Sequence, residues 1–384
     1  MSVFRIGVYD KDRVFQCQIG NPVALSATVR HNLTSTLSMS VALGHRRIGK
    51  LKEDGARLKV SFKGEHLISG PITEDNIESD GVSGLYTVTV EDDLTALWEI
   101  LGWPVPTVAA TPGAINQSAA EYRTYNGNAE TILKTAVTEN GVNRIGIPGL
   151  VVAPNLNRGA TIPGGVPLRM HPIADQMFPA LEDAGIGVSV RQANSAPGES
   201  ADLVLDVYEP QTHPRTLSVK GRTLKRVAMT RKRPTASRVV IGGQGEKTAR
   251  NFRYLVDTAR EAQYGRRAEV FRDARDDNTP AVMDARGQET LNEHGPKNGV
   301  SLTLAGSGIF QYGPGGFHVG DRIPVRVAEG VTITEVIREC TLNWVSPTYA
   351  AEAPSIGELT DQPERITAQR LAALARGQRN QETR

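Results

Sequence analysis

A mainly β protein with α/β insertions, an α+β fold of more than one domain, is predicted from three observations. The chain has 384 residues, which is more than one ordinary hydrophobic core supports. Its 38 glycines and 22 prolines indicate many turns, as in β-rich architectures. Short segments in which apolar and polar residues alternate recur between these turns. With 39% hydrophobic and 22% charged residues, the composition is that of a folded, soluble protein.

Residues 1–100 are predicted to form a first β-rich unit. Five short strands, separated by breaks that contain Gly, Asn or Asp, are expected at residues 3–9, 23–29, 37–43, 57–62 and 65–72. A sixth, at 85–90, has the clearest alternation of apolar residues and threonines. Strands at this spacing are typical of a small barrel or sandwich. A helix at 94–101, capped by Asp92 or Asp93, is predicted to end this unit.

Residues 101–210 are predicted to be an α/β insertion. Asn128 is placed to cap a helix over 129–140, because apolar residues follow it at helical spacing. A second helix is expected over 173–184 in spite of Pro179. Two alternating segments, 187–191 and 203–208, are expected to pair like the arms of a hairpin.

The remainder of the chain is predicted to contain a second β-rich unit, built from residues 211–245 and 300–346. Residues 246–299 between them are predicted to form a small mixed insertion, with a strand at 267–272 and a helix at 280–294. The last segment, 347–384, is predicted to be a polar C-terminal arm. It carries a short amphipathic helix over 364–376 and would become ordered only on a partner.

The stretch from Pro210 to Gly245 has no acidic residue and contains nine Lys or Arg residues. Such a cluster raises the possibility of nucleic-acid binding. Single-strand binding also needs stacking aromatics, and the stretch has no Phe, Tyr or Trp. Basic residues also protect edge strands from mispairing. Since the net charge of the chain is only +2, we interpret the stretch as a solvated strand face or subunit interface, and expect no specific nucleic-acid partner.

No motif predicts a catalytic, cofactor-binding or metal-binding residue. Gly242–Thr248 has the glycines of a phosphate loop, but Glu246 stands where that loop needs lysine. A strand-ending turn is therefore predicted. The seven histidines form no HExxH or other close metal-ligand spacing. Cys17 and Cys340 belong to no CxxC pair and are expected to be buried free thiols. The N-terminus lacks the apolar segment of a signal peptide, and no apolar run is long enough to span a bilayer.

The order of several segments resembles that of a siphophage minor tail protein family. Each segment is weakly specific alone, but together they run from about residue 3 to residue 345 in the family's order. They are Ile68–Ile72, Ile147–Asn155, Leu203–Pro210, Arg238–Glu246 with Ala249 and Arg250, Ala268–Arg275, Gly316–Val325 and Ile333–Glu339.

This family is similar to the baseplate or tail-tip hub of phages, including the N-terminal hub part of tail-associated lysins. The resemblance implies a homotrimer in which each subunit contributes two tube-type β-barrels, formed here by 1–100 and by 211–245 with 300–346. It implies a virion protein of the tail tip, made in the host cytoplasm. The expected partners are the distal tail protein ring, the tape-measure protein and receptor-binding or fibre proteins, with no membrane in the free state.

A structural hub that closes the tail tube is therefore the predicted function, and no enzymatic activity is expected. Some family members continue into peptidoglycan-hydrolysing domains, whereas this chain ends at Arg384. Two alternatives remain open at this point. One is a tail-delivered cell-wall hydrolase, and the other is a nucleic-acid-binding tail protein.

Overall fold

The computed structural model describes residues 2–81, 83–108, 113, 115–275, 278–304 and 310–357. Within strands, the side chains at 225–226, 228–231, 297–304 and 356–357 lie outside this description. The chain divides into two compact units. Unit 1 comprises Met1–Val227 and Leu302–Ile356, and unit 2 contains Ala228–Ser301.

Strands dominate the described residues, which confirms the prediction of a mainly β protein. They are β1 (Phe4–Tyr9), β2 (Phe15–Ile19), β3 (Ala24–Arg30), β4 (Thr36–Ala42), β5 (Arg57–Phe62), β6 (Glu65–Ser79), β7 (Gly84–Glu91), β8 (Leu101–Gly102), β9 (Arg123–Tyr125), β10 (Leu150–Val152), β11 (Val166–Leu168), β12 (His171–Pro172), β13 (Gly187–Gln192), β14 (Leu203–Tyr208), β15 (Leu224–Lys232), β16 (Arg238–Gly242), β17 (Phe252–Val256), β18 (Glu269–Asp273), β19 (Lys297–Leu304), β20 (Arg322–Ala328), β21 (Val331–Ser346) and β22 (Tyr349–Gly357).

The helices are fewer and shorter. The α-helices are α1 (Ile48–Leu51), α2 (Ala96–Glu99), α3 (Ala129–Val137), α4 (Ile173–Asp183), α5 (Thr258–Tyr264) and α6 (Pro280–Glu293). Short 3₁₀ segments occur at Asp93–Thr95 and Lys247–Ala249, and a π-helical segment at Thr138–Ile145 continues α3.

One large antiparallel sheet forms the frame of unit 1. From β22 onwards its strands follow the order β22-β21-β3-β4-β7-β6-β5-β1-β2, and β20 pairs with the first half of β21. The ladder between β21 and β3, centred on Cys340 opposite Val29, joins the two halves predicted as separate β-rich units. Among the described residues the ladders trace an open path, so closure into two barrels stays a prediction.

Strand β6 is the longest strand of the first hundred residues and changes partner along its length. Its first half pairs with β5 and its second half pairs with β7. A bulge between Ile72 and Glu74 marks the change, and such bulges bend and twist a strand. Gly70 precedes it, where a Cβ atom would lie 1.8 Å from the Glu91 carbonyl oxygen. The bend therefore needs glycine at this position.

The segment predicted as an α/β insertion has its own core within unit 1. The sheet β10-β14-β13 combines one parallel and one antiparallel ladder, and it shares a core cluster with α3 and α4. Asn128 caps α3, because its side-chain oxygen accepts a hydrogen bond from the Thr131 N–H at 2.8 Å. The predicted pairing of 187–191 with 203–208 is confirmed as antiparallel.

Unit 2 contains a three-stranded sheet in the order β17-β16-β18. One face packs on α6 through a core cluster that includes Val239, Ile241, Met283 and Leu291. The predicted strand at 267–272 and the helix at 280–294 are confirmed within one or two residues.

Two predictions of local structure need correction. The helix over 94–101 contains only α2 with a preceding 3₁₀ turn, because Leu101 and Gly102 pair with β12 instead. Residues 349–357, assigned to a polar arm, form β22 on the ladder with β21. The small residues of this segment give no strand pattern in the sequence, because backbone pairing with β21 holds the strand in place. The predicted helix over 364–376 lies outside the described residues.

The predicted division after residue 210 also differs from the observed packing. Residues 211–217 run parallel to β20, with the Leu217 N–H donating to the Pro324 carbonyl at 2.9 Å. This brings part of the 211–245 segment to the strands after residue 320. Strand β16, however, pairs with β17 and β18 in unit 2.

Candidate assembly surface

The second half of β6 and its turn present an acidic, solvent-exposed sheet edge. This "acidic edge" comprises residues 73–80 and contains Glu74, Asp75, Glu78 and Asp80 with no basic residue. Every residue from 73 to 79 is exposed, although the strand is paired with β7. Among the described residues, its other side has no strand partner.

Pairing of β6 with β7 determines where this edge lies. Tyr86, Val88 and Val90 on β7 are buried, whereas the β6 residues opposite them remain outside the core. Ile77 pairs with Tyr86 and is still 51% exposed. Ile77 can make an apolar contact with a partner, and the carboxylates around it favour a partner that is positively charged.

The turn of this hairpin is held by its own polar side chains. The Asp80 carboxylate accepts from the Ser83 N–H at 2.6 Å and from the Ser83 hydroxyl at 3.0 Å. On the strand, burial and the nearby Asp75 carboxylate raise the pKa of Tyr86 to about 12. Tyr86 therefore stays protonated, and the charge of the edge comes from its carboxylates.

Free strand edges are sites where a second chain can add. Carboxylates along such an edge repel another copy of the same edge and favour a basic partner. The acidic edge is thus suited to a specific contact with a surface of opposite charge. Sequence analysis missed it because the segment was predicted to end at residue 72, before the acidic half.

A buried Ser–His–Asp cluster in unit 1 bears on the hydrolase alternative. The Ser69 hydroxyl donates to Asp93 at 2.7 Å, lies 3.2 Å from His66 Nε2, and accepts from the Gln192 N–H at 2.9 Å. In a catalytic triad the histidine stands between serine and carboxylate. Here the serine stands between them and is fully buried.

The surroundings of this cluster are also unlike those of a general base. Burial lowers the pKa of His66 to about 4, so its ring is neutral near pH 7. Asp93 is paired with the guanidinium of Arg57. The geometry serves to satisfy buried polar groups rather than to activate a nucleophile.

The predictions for metal ligands, for the two cysteines and for the glycine-rich turn can be compared with the structure. Among the described residues, no group of three His, Cys, Asp or Glu side chains could hold a metal ion. Both Cys17 and Cys340 are buried free thiols, as predicted. The turn predicted at Gly242–Thr248 follows the end of β16 at Gly242.

Two described cations of the basic stretch have acidic partners within the chain. Lys220 is exposed and lies 3.7 Å from Glu329, and Arg238 makes a bidentate contact with Glu261. The side chains of Lys225, Arg226 and Arg231 lie outside the described residues.

Among the described residues, no helix combines the length and apolar character needed to cross a bilayer.

Two comparisons link this chain to known proteins. Residues 5–358 match the model of the family described as siphovirus ReqiPepy6 Gp37-like protein. No curated protein matches the sequence.

Three solved structures have a similar fold. The 43 kDa tail protein of prophage MuSo2 from Shewanella oneidensis has a TM-score of 0.57 at 13% identity, over 92% of this chain and 98% of its own. Prophage tail protein gp18 from Listeria monocytogenes EGD-e has a TM-score of 0.56 at 11% identity, over 97% of this chain and 99% of its own. The tail protein from Neisseria meningitidis MC58 has a TM-score of 0.53 at 10% identity, over 93% of this chain and 97% of its own.

Proposed function

Because the chain belongs to the siphovirus ReqiPepy6 Gp37-like family, we propose that it is a structural hub protein of a siphophage tail tip. The observation that carries this proposal is the family match over nearly the whole chain. The fold shared with three tail proteins, two of them from prophages, supports the location in the virion tail.

The hub would be a homotrimeric ring that closes the tail tube. Two tube-type β-barrels per subunit would give the ring pseudo-sixfold symmetry, suited to a hexameric distal tail ring. Its proposed partners are that ring, the tape-measure protein and receptor-binding or fibre proteins. A ring of identical subunits needs two different, complementary patches on each chain. The acidic edge is suited to be one of them.

This role is mechanical, and it assigns no reaction to any residue. Stability of the ring would come from strand edges that are covered when subunits meet. Permanent interfaces of this kind commonly bury more than about 2,000 Å². The buried position of Ser69 supports a structural rather than hydrolytic role for the cluster around it.

Electron cryomicroscopy of isolated tail tips and of the purified chain tests this proposal. We expect threefold averages with an axial opening, in which each subunit supplies two similar β modules. Density with another symmetry, or modules that cannot be superposed, would overturn the trimeric hub. Release of peptidoglycan fragments by the purified chain would instead support the hydrolase alternative.

A further inference from the structure

Among the described residues, one face of the unit 2 sheet is not packed against another element. Residues alternate along each strand, so Val239, Ile241, Leu255 and Val270 pack towards α6. The opposite "aromatic face" carries the exposed side chains of Phe252, Tyr254, Val256 and Phe271. Two of these rings, Tyr254 and Phe271, lie on either side of Val240.

The charges on the aromatic face are neutralised within the chain. Arg250 lies over both Phe252 and Phe271, at 5.7 and 5.4 Å from the ring centres, and contacts Asp273 at 2.5 Å. The Tyr254 hydroxyl donates to Glu269 at 2.6 Å. Aromatic residues with arginine are the composition of protein interfaces.

An "arginine pocket" opens at the end of this sheet where β16 and β18 begin. It has a volume of ≈ 70 Å³ and is lined by Arg233, Arg260 and Arg266 with Ser237 and Tyr264. Arg260 is held in place, since it donates to the Ala236 and Leu291 carbonyls at 2.8 Å.

The other two arginines of the pocket are available for an anion. Arg233 and Arg266 are exposed, and neither guanidinium has a hydrogen-bond or ion-pair partner among the described residues. Guanidinium groups bind carboxylates with defined geometry. The pocket and the adjoining aromatic face together fit a segment that has both a carboxylate and an apolar side chain.

We propose that this composite surface binds the acidic edge of a second copy of the chain. The acidic edge supplies four carboxylates around the exposed Ile77, which matches the arginines and the aromatic face in charge and polarity. The contact is heterologous, with two different patches on each copy, as a closed ring requires. This inference rests on the proposed trimer and identifies two surfaces that would meet in it.

A photo-cross-linking amino acid, p-benzoylphenylalanine, placed at Phe271 tests the contact in the full-length chain. Mixing ¹⁴N- and ¹⁵N-labelled copies distinguishes cross-links between copies from those within one copy. We expect a mixed-isotope cross-link to residues 73–80. A cross-link elsewhere, no cross-link in an assembled ring, or preferential cross-linking to an added single-stranded oligonucleotide would overturn the inference.

Charge exchange provides an independent test that does not depend on the cross-linker. Arg266→Glu or Glu78→Lys should each weaken association of copies at least about tenfold, the scale of an interface hot spot. The double variant should recover most of that loss. Lys247→Glu, an exposed change in the same unit, is the matched control. Circular dichroism of each variant separates loss of contact from loss of fold.

The outcomes separate this inference from the proposed function. A threefold ring that is insensitive to Arg266→Glu and gives no cross-link to the acidic edge leaves the hub intact and removes the inference. A cross-link between 271 and the acidic edge in an assembly of other symmetry supports the contact and removes the trimer.

Discussion

At the scale of single residues, two adjacent carboxylates at the end of β7 differ in how their charge is balanced. Asp93 is buried beside Arg57 and Ser69. Asp92 accepts a hydrogen bond from the Ser35 N–H at 3.0 Å, and it has no cationic partner among the described residues. Burial raises the pKa of Asp92 to about 7. Its protonation state therefore changes within the physiological range.

The pH dependence of stability should reveal Asp92. The folded state holds a proton that the unfolded chain releases near pH 4, so the free energy of unfolding should fall as pH rises from 4 to 7. Because Asp92 keeps part of its surface exposed, we expect a loss of about 1–2 kcal/mol. Asp92→Asn should remove this loss in urea unfolding at pH 5 and pH 8. An unchanged pH profile would contradict the assignment.

A second residue-scale feature is the buried ion network of the α/β segment. Lys134 contacts Glu130 at 2.6 Å and Asp206 at 2.9 Å, and Arg158 contacts both carboxylates. Burial alone would raise the pKa of Glu130, but hydrogen bonds from Arg158 and Lys134 outweigh it and hold the pKa well below its usual range. Glu130 is therefore ionised at neutral pH.

Lys134→Met should leave the carboxylates without one of their two cations. We expect a loss of about 3–5 kcal/mol in the free energy of unfolding, measured by urea denaturation at pH 7. Lys50→Met is the control, because its pair with Glu53 is largely exposed and such pairs contribute about 0–1 kcal/mol. Equal effects of the two substitutions would show that the network contributes nothing beyond a surface pair.

Sequence patterns could identify some of these residues but could not bring them together. Asn128 was predicted as a cap because capping depends on neighbours within one turn. The contact of Lys134 with Asp206 joins residues 72 positions apart, and no local periodicity carries that information. The same limit hid Ser69, whose partners Asp93 and Gln192 lie 24 and 123 positions away.

At the scale of elements, the course of β6 determines where the acidic edge lies. The strand leaves β5, bends near Gly70 and continues beside β7. The Glu91 carbonyl approaches Gly70 so closely that no side chain fits. Any substitution that increases the distance between Gly70 and the Glu91 carbonyl should disturb the pairing of β6 with β7.

Gly70→Ala should therefore be strongly destabilising. The added Cβ would clash with backbone, which cannot move like a flexible side chain, so we expect a loss of about 3 kcal/mol or more. Gly20→Ala is the matched control, since a Cβ there meets nothing within 4 Å. Thermal unfolding of both variants checks the difference. A Gly70→Ala protein as stable as the control would show that the bend tolerates a side chain.

Predictions of elements succeeded where a local signal was strong and failed where pairing was decided by distant strands. Helix α4 was predicted over 173–184 despite Pro179, with Gly185 as its terminating residue. Strand β22 was missed, because Ala, Glu and Pro residues resemble a polar tail. Its ladder with β21 depends on backbone hydrogen bonds that any residue except proline can donate.

At the scale of the whole molecule, the chain builds one large unit and one small unit from interleaved segments. The order of the motifs indicated the family, and the glycine and proline content with short alternating segments indicated the mainly β architecture. Neither indicated the boundary at Val227, which falls inside strand β15. Each unit has its own buried apolar cluster, so their stabilities can be perturbed separately.

Selective weakening of one core tests this division. Ile241 is fully buried in unit 2 and Leu133 is fully buried in unit 1. Replacement of either by Ala should cost about 2–5 kcal/mol in its own unit. In hydrogen exchange followed by mass spectrometry, Ile241→Ala should accelerate exchange within residues 228–301, and Leu133→Ala should accelerate it around α3 and α4. If each substitution accelerated exchange equally in both units, the chain would unfold as one cooperative body, because coupled cores share their opening free energy.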